Sequence, residues 1–163
     1  MSENKLGLSI RGIGNGYVSP ANDGYSEWRR VSRATAALPQ TTAETLVTIT
    51  GGRVILANII GEVTTVIQTQ ADNAKLVFNP TEAGASTDIC AVLNITAKAV
   101  CTLFSITGTV ATALQSGLWL TTTMATPLIL SEGTIELDCA ASNTGNVKWD
   151  VYYLPLDEGA TVA

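Results

Sequence analysis

Residues 45–68, TLVTITGGRVILANIIGEVTTVIQ, restrict this chain more than any other stretch. β-Branched residues dominate both halves and Gly51-Gly52 divides them, which predicts a β-hairpin with a long second strand. Side chains alternate across a strand, so Ile55, Ala57, Ile59, Val63, Thr65 and Ile67 form one row, passing through Gly61 without a change of face. This is the expected core row. The even positions should meet water, yet Val54, Leu56, Ile60 and Val66 are apolar, with only Asn58, Glu62, Thr64 and Gln68 between them. A strand apolar on both faces needs two covers, which in a small all-β chain means either its own interior on one side and a neighbouring subunit on the other, or an unusually thick core; the neighbour is favoured. Self-association through Val54, Leu56, Ile60 and Val66 is the expectation.

The remaining strands follow from alternation and turn residues. Residues 31–38 read as a short strand ended by Pro39, and 74–78 as a strand stopped by Asn79-Pro80. Ile89, Ala91, Leu93 and Ile95 share a face of 88–97, which is expected to pair with 101–107. Residues 108–124 leave a short strand, a helical turn at 111–115 and a long loop all open. Residues 134–141 place Ile135, Leu137 and Cys139 inward, and 147–154 place Val147, Trp149, Val151 and Tyr153 inward. The turn chemistry of 142–146 between them predicts a second antiparallel hairpin with one wet face, ended by Pro155 and followed by an exposed tail. The fold class is all-β: a single antiparallel β-sandwich or barrel, jelly-roll-like, over residues 34–163.

Residues 1–33 differ in composition. Five glycines sit among Asn15, Ser19, Pro20, Asn22 and Asp23, which predicts an extended arm. Its apolar residues, Leu6, Leu8, Ile10, Ile13, Tyr17, Val18, Tyr25 and Trp28, are too many for a solvated tail. Docking on its own domain and docking on another subunit both stay open. The arm carries five bases against three acids, and the other 130 residues carry four against eleven, within a formal net charge of −5. Arg29, Arg30 and Arg33 are therefore expected to meet acidic groups on a neighbouring protein. An acidic body without a basic stripe is a poor match for nucleic acid.

Chemistry finds little purchase. There is no histidine, which removes the commonest general base, the usual zinc ligand and both the Ser-His and Cys-His pairs. Glu136 and Asp138 share a strand face about 7 Å apart by strand rise, and read as two solvated acids. No loop gathers calcium ligands, and Gly12-x-Gly14-x-Gly16 lacks the strand and helix of a dinucleotide site. Cys90, Cys101 and Cys139 lie far apart and are expected as core thiols rather than metal ligands. No cofactor, metal or catalytic residue is expected. No apolar run has transmembrane length and the N-terminus lacks a signal-peptide core, so synthesis in a reducing cytoplasm, without membrane insertion or secretion, is expected. Of the three tryptophans, Trp149 has core parity and Trp119 is the contact candidate.

GGRVILANIIGEVTTVIQTQADNAKL and GTIELDCAASNTGNVKWDVYYLPLDEGATV give the chain a wider likeness. With its Thr- and Ala-heavy strands, the Asn-Thr-Gly loop feeding a Lys-Trp strand and the closing Pro-Leu-Asp-Glu-Gly, it resembles small all-β structural proteins of tailed bacteriophages over residues 34–161. That resemblance implies a non-enzymatic virion component made in the host bacterial cytoplasm. It implies a capsid decoration or cement protein bound as an oligomer, a trimer by virion habit, to other virion proteins, foremost the major capsid protein. The alternative is a tail, head-fibre or baseplate part that attaches to the host. The interface candidates are Trp28, Arg29, Arg30, Arg33, Val54, Leu56, Ile60, Val66 and Trp119.

Overall fold

Alternation predicts which residues face inward but not which strand lies alongside, and the fold turns on that difference. The structure, a computed structural model, describes residues 28–82, 84–120, 124 and 126–163. The expectations for residues 1–27 lie outside the described residues. Among those described the regular elements are all strands: β1 (Arg29–Ala37), β2 (Ala43–Thr50), β3 (Val54–Thr65), β4 (Asn73–Pro80), β5 (Thr87–Asp88), β6 (Leu93–Asn94), β7 (Leu103–Ser105), β8 (Gln115–Gly117), β9 (Leu128–Leu130), β10 (Gly133–Cys139), β11 (Asn146–Pro155) and β12 (Thr161–Val162).

They form two antiparallel sheets. One runs β1-β11-β3-β7-β8 with β9 also on β3, and the other runs β12-β2-β10-β4-β5 with β6 also on β4. The four-strand cores, β1-β11-β3-β7 and β2-β10-β4-β5, have the strand order of a jelly roll. The all-β sandwich expectation therefore holds. Its inner faces meet in one core that includes Leu46, Ile49, Ile59, Val63, Leu76, Ile135, Leu137, Val147, Trp149 and Val151.

Neither expected hairpin exists. β2 and β3 belong to opposite sheets, and so do β10 and β11, so Gly51-Gly52 and residues 140–145 carry the chain across the sandwich. Both members of each pair have one buried face, and a glycine-bearing connection serves a crossing as well as a tight turn. Nor do 88–97 and 101–107 pair: β5 and β6 lie on β4, whereas β7 lies between β3 and β8. β1 starts at Arg29, so the sheet takes in residues assigned to the arm, and the body does not begin at 34. Of the three thiols, Cys90 and Cys139 are buried but Cys101 is exposed; all three are free.

The long strand β3 changes its buried face midway. Tyr152 pairs with Asn58 and Tyr153 with Leu56, so Ala57 is the extra residue of a β-bulge. Before it the even positions Val54 and Leu56 are buried; after it the odd positions Ile59, Gly61 and Val63 are. Asn58 sits at the step, buried, and accepts a hydrogen bond from the Ser105 hydroxyl at 2.9 Å. The continuous odd row was thus half right. Val54 and Leu56 are core residues, each 1% exposed, and Ile55 and Ala57 belong to the other face.

The segment after β11 is no free tail. β12 pairs with β2, and Ala160 and Val162 are buried. Gly51 and Gly52 hold φ of 76° and 132°, and a Cβ on Gly51 would come within 2.5 Å of the Gly159 carbonyl oxygen, so the turn tolerates no side chain there. Arg53 clasps Asp157 by its backbone N–H at 2.7 Å and its guanidinium at 2.9 and 2.8 Å. The guanidinium hydrogen bonds, then the backbone one, hold the Asp157 carboxyl down at about 2 against an ordinary 3.8.

Two predictions follow from this packing. A Cβ on Gly61 would meet the buried Trp149 ring at 2.8 Å, so Gly61→Ala should lower stability by about 1–3 kcal/mol, read as a fall in the urea midpoint with the m-value unchanged. Because Asp157 binds its proton more weakly folded than unfolded, its contribution is present above about pH 4 and is lost as pH falls towards 2. Asp157→Asn should flatten the acid side of the stability profile in that window and leave other acid transitions in place. An unchanged profile would show that the clasp contributes nothing.

Candidate functional site

The bulge decides what the outer face of the first sheet presents. On β11 the outward positions are Lys148, Asp150, Tyr152 and Leu154, and on β3 they are Ile55, Ala57, Ile60 and Glu62. One half of this face is ionic. Lys148 Nζ lies 2.7 Å from Glu62, and Arg30 lies 2.8 Å from Asp150, which also accepts a hydrogen bond from Ser32. Burial pushes the Asp150 carboxyl up, but the hydrogen bonds from Ser32 and Arg30 and the charges of Arg30 and Lys148 outweigh it and leave the group below its ordinary value. The hydrogen bond to Glu62 raises Lys148. These charges satisfy one another within the chain.

The other half is apolar. Register places Ile129 of β9 beside Ile55 of β3, and Ile55 beside Leu154 of β11, a row across three strands with Ile129 66% exposed. Next to it opens a groove of about 450 Å³ lined by Trp28, Ala57, Asn58, Ile60, Met124, Pro127 and Tyr152. Its lining is mainly apolar, and the buried Asn58 contributes an amide to it.

The predicted interface residues divide accordingly. Trp28 and Ile60 meet in the groove. Arg30 stands at its ionic border, but its acid is Asp150 of the same chain, and Arg33 pairs with Glu44 on β2 across the sandwich margin. Both are thus paired within the chain; Arg29 is exposed. Val54 and Leu56 are in the core. Val66, 54% exposed, follows β3 and does not line the groove, and neither does Trp119, which stands 81% exposed after β8. The sequence reading missed Ile55, Ala57, Tyr152, Leu154, Pro127 and Ile129. The first four carried ordinary strand parity and only the bulge turned Ile55 and Ala57 outward; β9 is too short for a period to show.

Elsewhere several acids are tied into the fold. Glu136 accepts from Thr134 at 2.6 Å and from Asn79 at 3.2 Å, and Asp138 lies 3.8 Å from Lys75. Asp72, buried, accepts from the backbone N–H of Ala141 at 3.0 Å and fastens the β10–β11 crossing; burial pushes its carboxyl up. Among the described residues no group of three or more His, Cys, Asp or Glu is placed to hold a metal.

No family model matches the sequence, and no curated protein matches it. Among solved structures, a chain of the infectious bursal disease virus Gx strain aligns with 11% identity and a TM-score of 0.23 over 86% of this chain. The aligned region spans 36% of that viral chain, about a third of its length. A likeness of this size establishes neither a shared fold nor a shared role.

If the apolar row is a contact surface, Ile129→Glu should alter association and not folding. An exposed position should change stability by no more than about 0.5 kcal/mol. Sedimentation at micromolar concentration should show less self-association than the parent, and binding of a hydrophobic dye should fall. Identical sedimentation of variant and parent as oligomers would move the interface elsewhere.

Proposed function

We propose that this protein is a non-enzymatic structural component of a bacteriophage virion, a decoration or cement protein that binds the capsid surface as an oligomer and stabilises it. The observation that carries this reading is the apolar outer face of the β1-β11-β3-β9 sheet, with Ile55, Ile129 and Leu154 in a row and its neighbouring charges already paired. A contiguous apolar patch rimmed by polar residues on a rigid sheet suits protein contact. Jelly rolls serve viral capsid and lectin domains alike, so the fold does not choose between them; the resemblance read from the sequence is what favours the first. The partner of first choice is the major capsid protein. Binding across several capsid subunits stabilises the shell by mass action, since the bound protein must be released before the subunits part.

A second reading, host attachment from a tail, head fibre or baseplate, has one observation in its favour. Leu118 and Trp119 are adjacent and 75% and 81% exposed, a presentation that suits a receptor or sugar contact. Thermal DNA release separates the two. Particles stripped of the protein should release DNA at a lower temperature than decorated ones while adsorbing normally to cells. Equal release temperatures together with lost adsorption would reject the cement reading in favour of attachment.

A further inference from the structure

We propose that Asp72 is a proton-operated latch on the segment that crosses from β10 to β11: with its carboxyl neutral the crossing lies closed on residues 70–73, and ionisation loosens it. The inference is independent of the virion reading. Its first support is an account of hydrogen bonds. Asp72 is 2% exposed, its Oδ1 accepts the Ala141 N–H at 3.0 Å, and its Oδ2 has no hydrogen-bond partner among the described residues. An ionised group taken out of water must be paired or give up its charge, and a carboxylate oxygen buried without a donor is pressed towards the second course.

The second support is position. β10 and β11 are inner strands of opposite sheets, so a change in the crossing between them reaches both. Residues 68–73 form the bed on which the crossing lies. Ala140 donates its N–H to the Asn73 carbonyl at 3.0 Å, Asn143 donates from Nδ2 to the Gln70 carbonyl at 3.0 Å, and the Thr144 carbonyl accepts from the Gln68 N–H at 3.1 Å. Asp72 is itself held in place: its N–H reaches Thr96 Oγ1 at 3.3 Å, and its carbonyl accepts from the Ile95 N–H at 2.9 Å. Of the bonds that fasten the crossing to this bed, the one from Ala141 has an acceptor that titrates.

The surroundings supply no counter-charge. β10 presents the Cys139 thiol, which burial and then the Asp72 charge push up to about 12, so it stays protonated through neutral pH. Asp138 and Glu44 also act on that thiol, and both are acids, engaged by Lys75 and Arg33. The crossing and residues 95–96 contribute the uncharged Asn143 and Thr96. Burial raises the Asp72 carboxyl above its ordinary 3.8; the N–H groups of Ala141, Ala140 and Asn73 and the Cys139 thiol favour the carboxylate without outweighing it. The closed crossing therefore binds the proton more tightly than the open one. Closure is favoured fully below pH 3.8, and that contribution is lost as pH rises through the closed-state value. Asp157 runs the opposite way, its clasp strengthening as pH rises from 2.

Amide hydrogen exchange in the full chain tests the latch. With intrinsic exchange rates divided out, protection of the Ala141 amide should fall by up to about tenfold per pH unit above about pH 4 and then level off. The amides of Leu137 and Val151, inside β10 and β11, should not follow that curve. Asp72→Asn keeps an oxygen for the Ala141 N–H and cannot ionise, so its Ala141 protection should stay flat over the same range. The carbon-13 shift of the Asp72 carboxyl in the unaltered protein gives a readout that does not depend on the variant folding, and it should titrate above pH 3.8. Titration at or below that value would overturn the proposal. So would Ala141 protection that does not change with pH in the unaltered protein, or that falls alike in Asp72→Asn.

Discussion

The whole structure depends on strand insertion. β11 lies between β1 and β3, and β10 lies between β2 and β4, so strands from the last third of the chain complete both sheets begun by the first third. Neither β1 nor β2 has another long partner until β10 and β11 arrive. Pairings this distant in sequence carry a large loop-closure cost before any contact repays it, which makes such folds slow to form. Once closed, the arrangement leaves no long central strand exposed. At its middle Trp149 lies against Gly61 and stacks on Phe104 at a centroid distance of 6.4 Å, which joins β11, β3 and β7 in one packing unit.

Ala57 links this closed core to the surface. Had β3 kept one parity from Val54 to Thr65, Val54 and Leu56 would face outward and need another protein to cover them. The bulge turns both into the chain's own core, where a buried aliphatic side chain contributes about 1.5–3 kcal/mol. Ile55 and Ala57 take their place outside, next to Tyr152 and Leu154 of β11. An apolar second face is still there, but it is shallower, built partly by β9, and notched by the groove. A single inserted residue thus separates what stabilises the fold from what faces outward.

Electrostatics points the same way. Arg30 and Arg33 spend their charge on Asp150 and Glu44, Lys148 on Glu62, Arg53 on Asp157 and Lys75 on Asp88. Such exposed pairs are worth little each to stability. Their larger consequence is that these five cations are paired within the chain, on a surface that also carries the apolar groove, the Ile55–Ile129–Leu154 row and the exposed Leu118–Trp119 pair.

The inward rows of β10 and β11 and the need of β3 for cover on two sides were legible in the sequence, because period-two alternation is a local signal; the start of β1 was not, since Arg29-Arg30 carries no apolar alternation. Residues within a strand report which of their own faces is apolar. Partner identity was not legible: Gly51-Gly52 and residues 140–145 read as hairpin turns, and only the closed roll shows that they cross between sheets. The Ala57 bulge was equally hidden, since an extra residue in β3 is defined by the partner's count, Tyr152 on Asn58 and Tyr153 on Leu56. The groove inherits that dependence, drawing Trp28, Ala57, Ile60, Pro127 and Tyr152 from four parts of the chain. Local composition determined the strands and their inward faces; pairing, register and the surface they create were decided by non-local packing, which no single segment encodes.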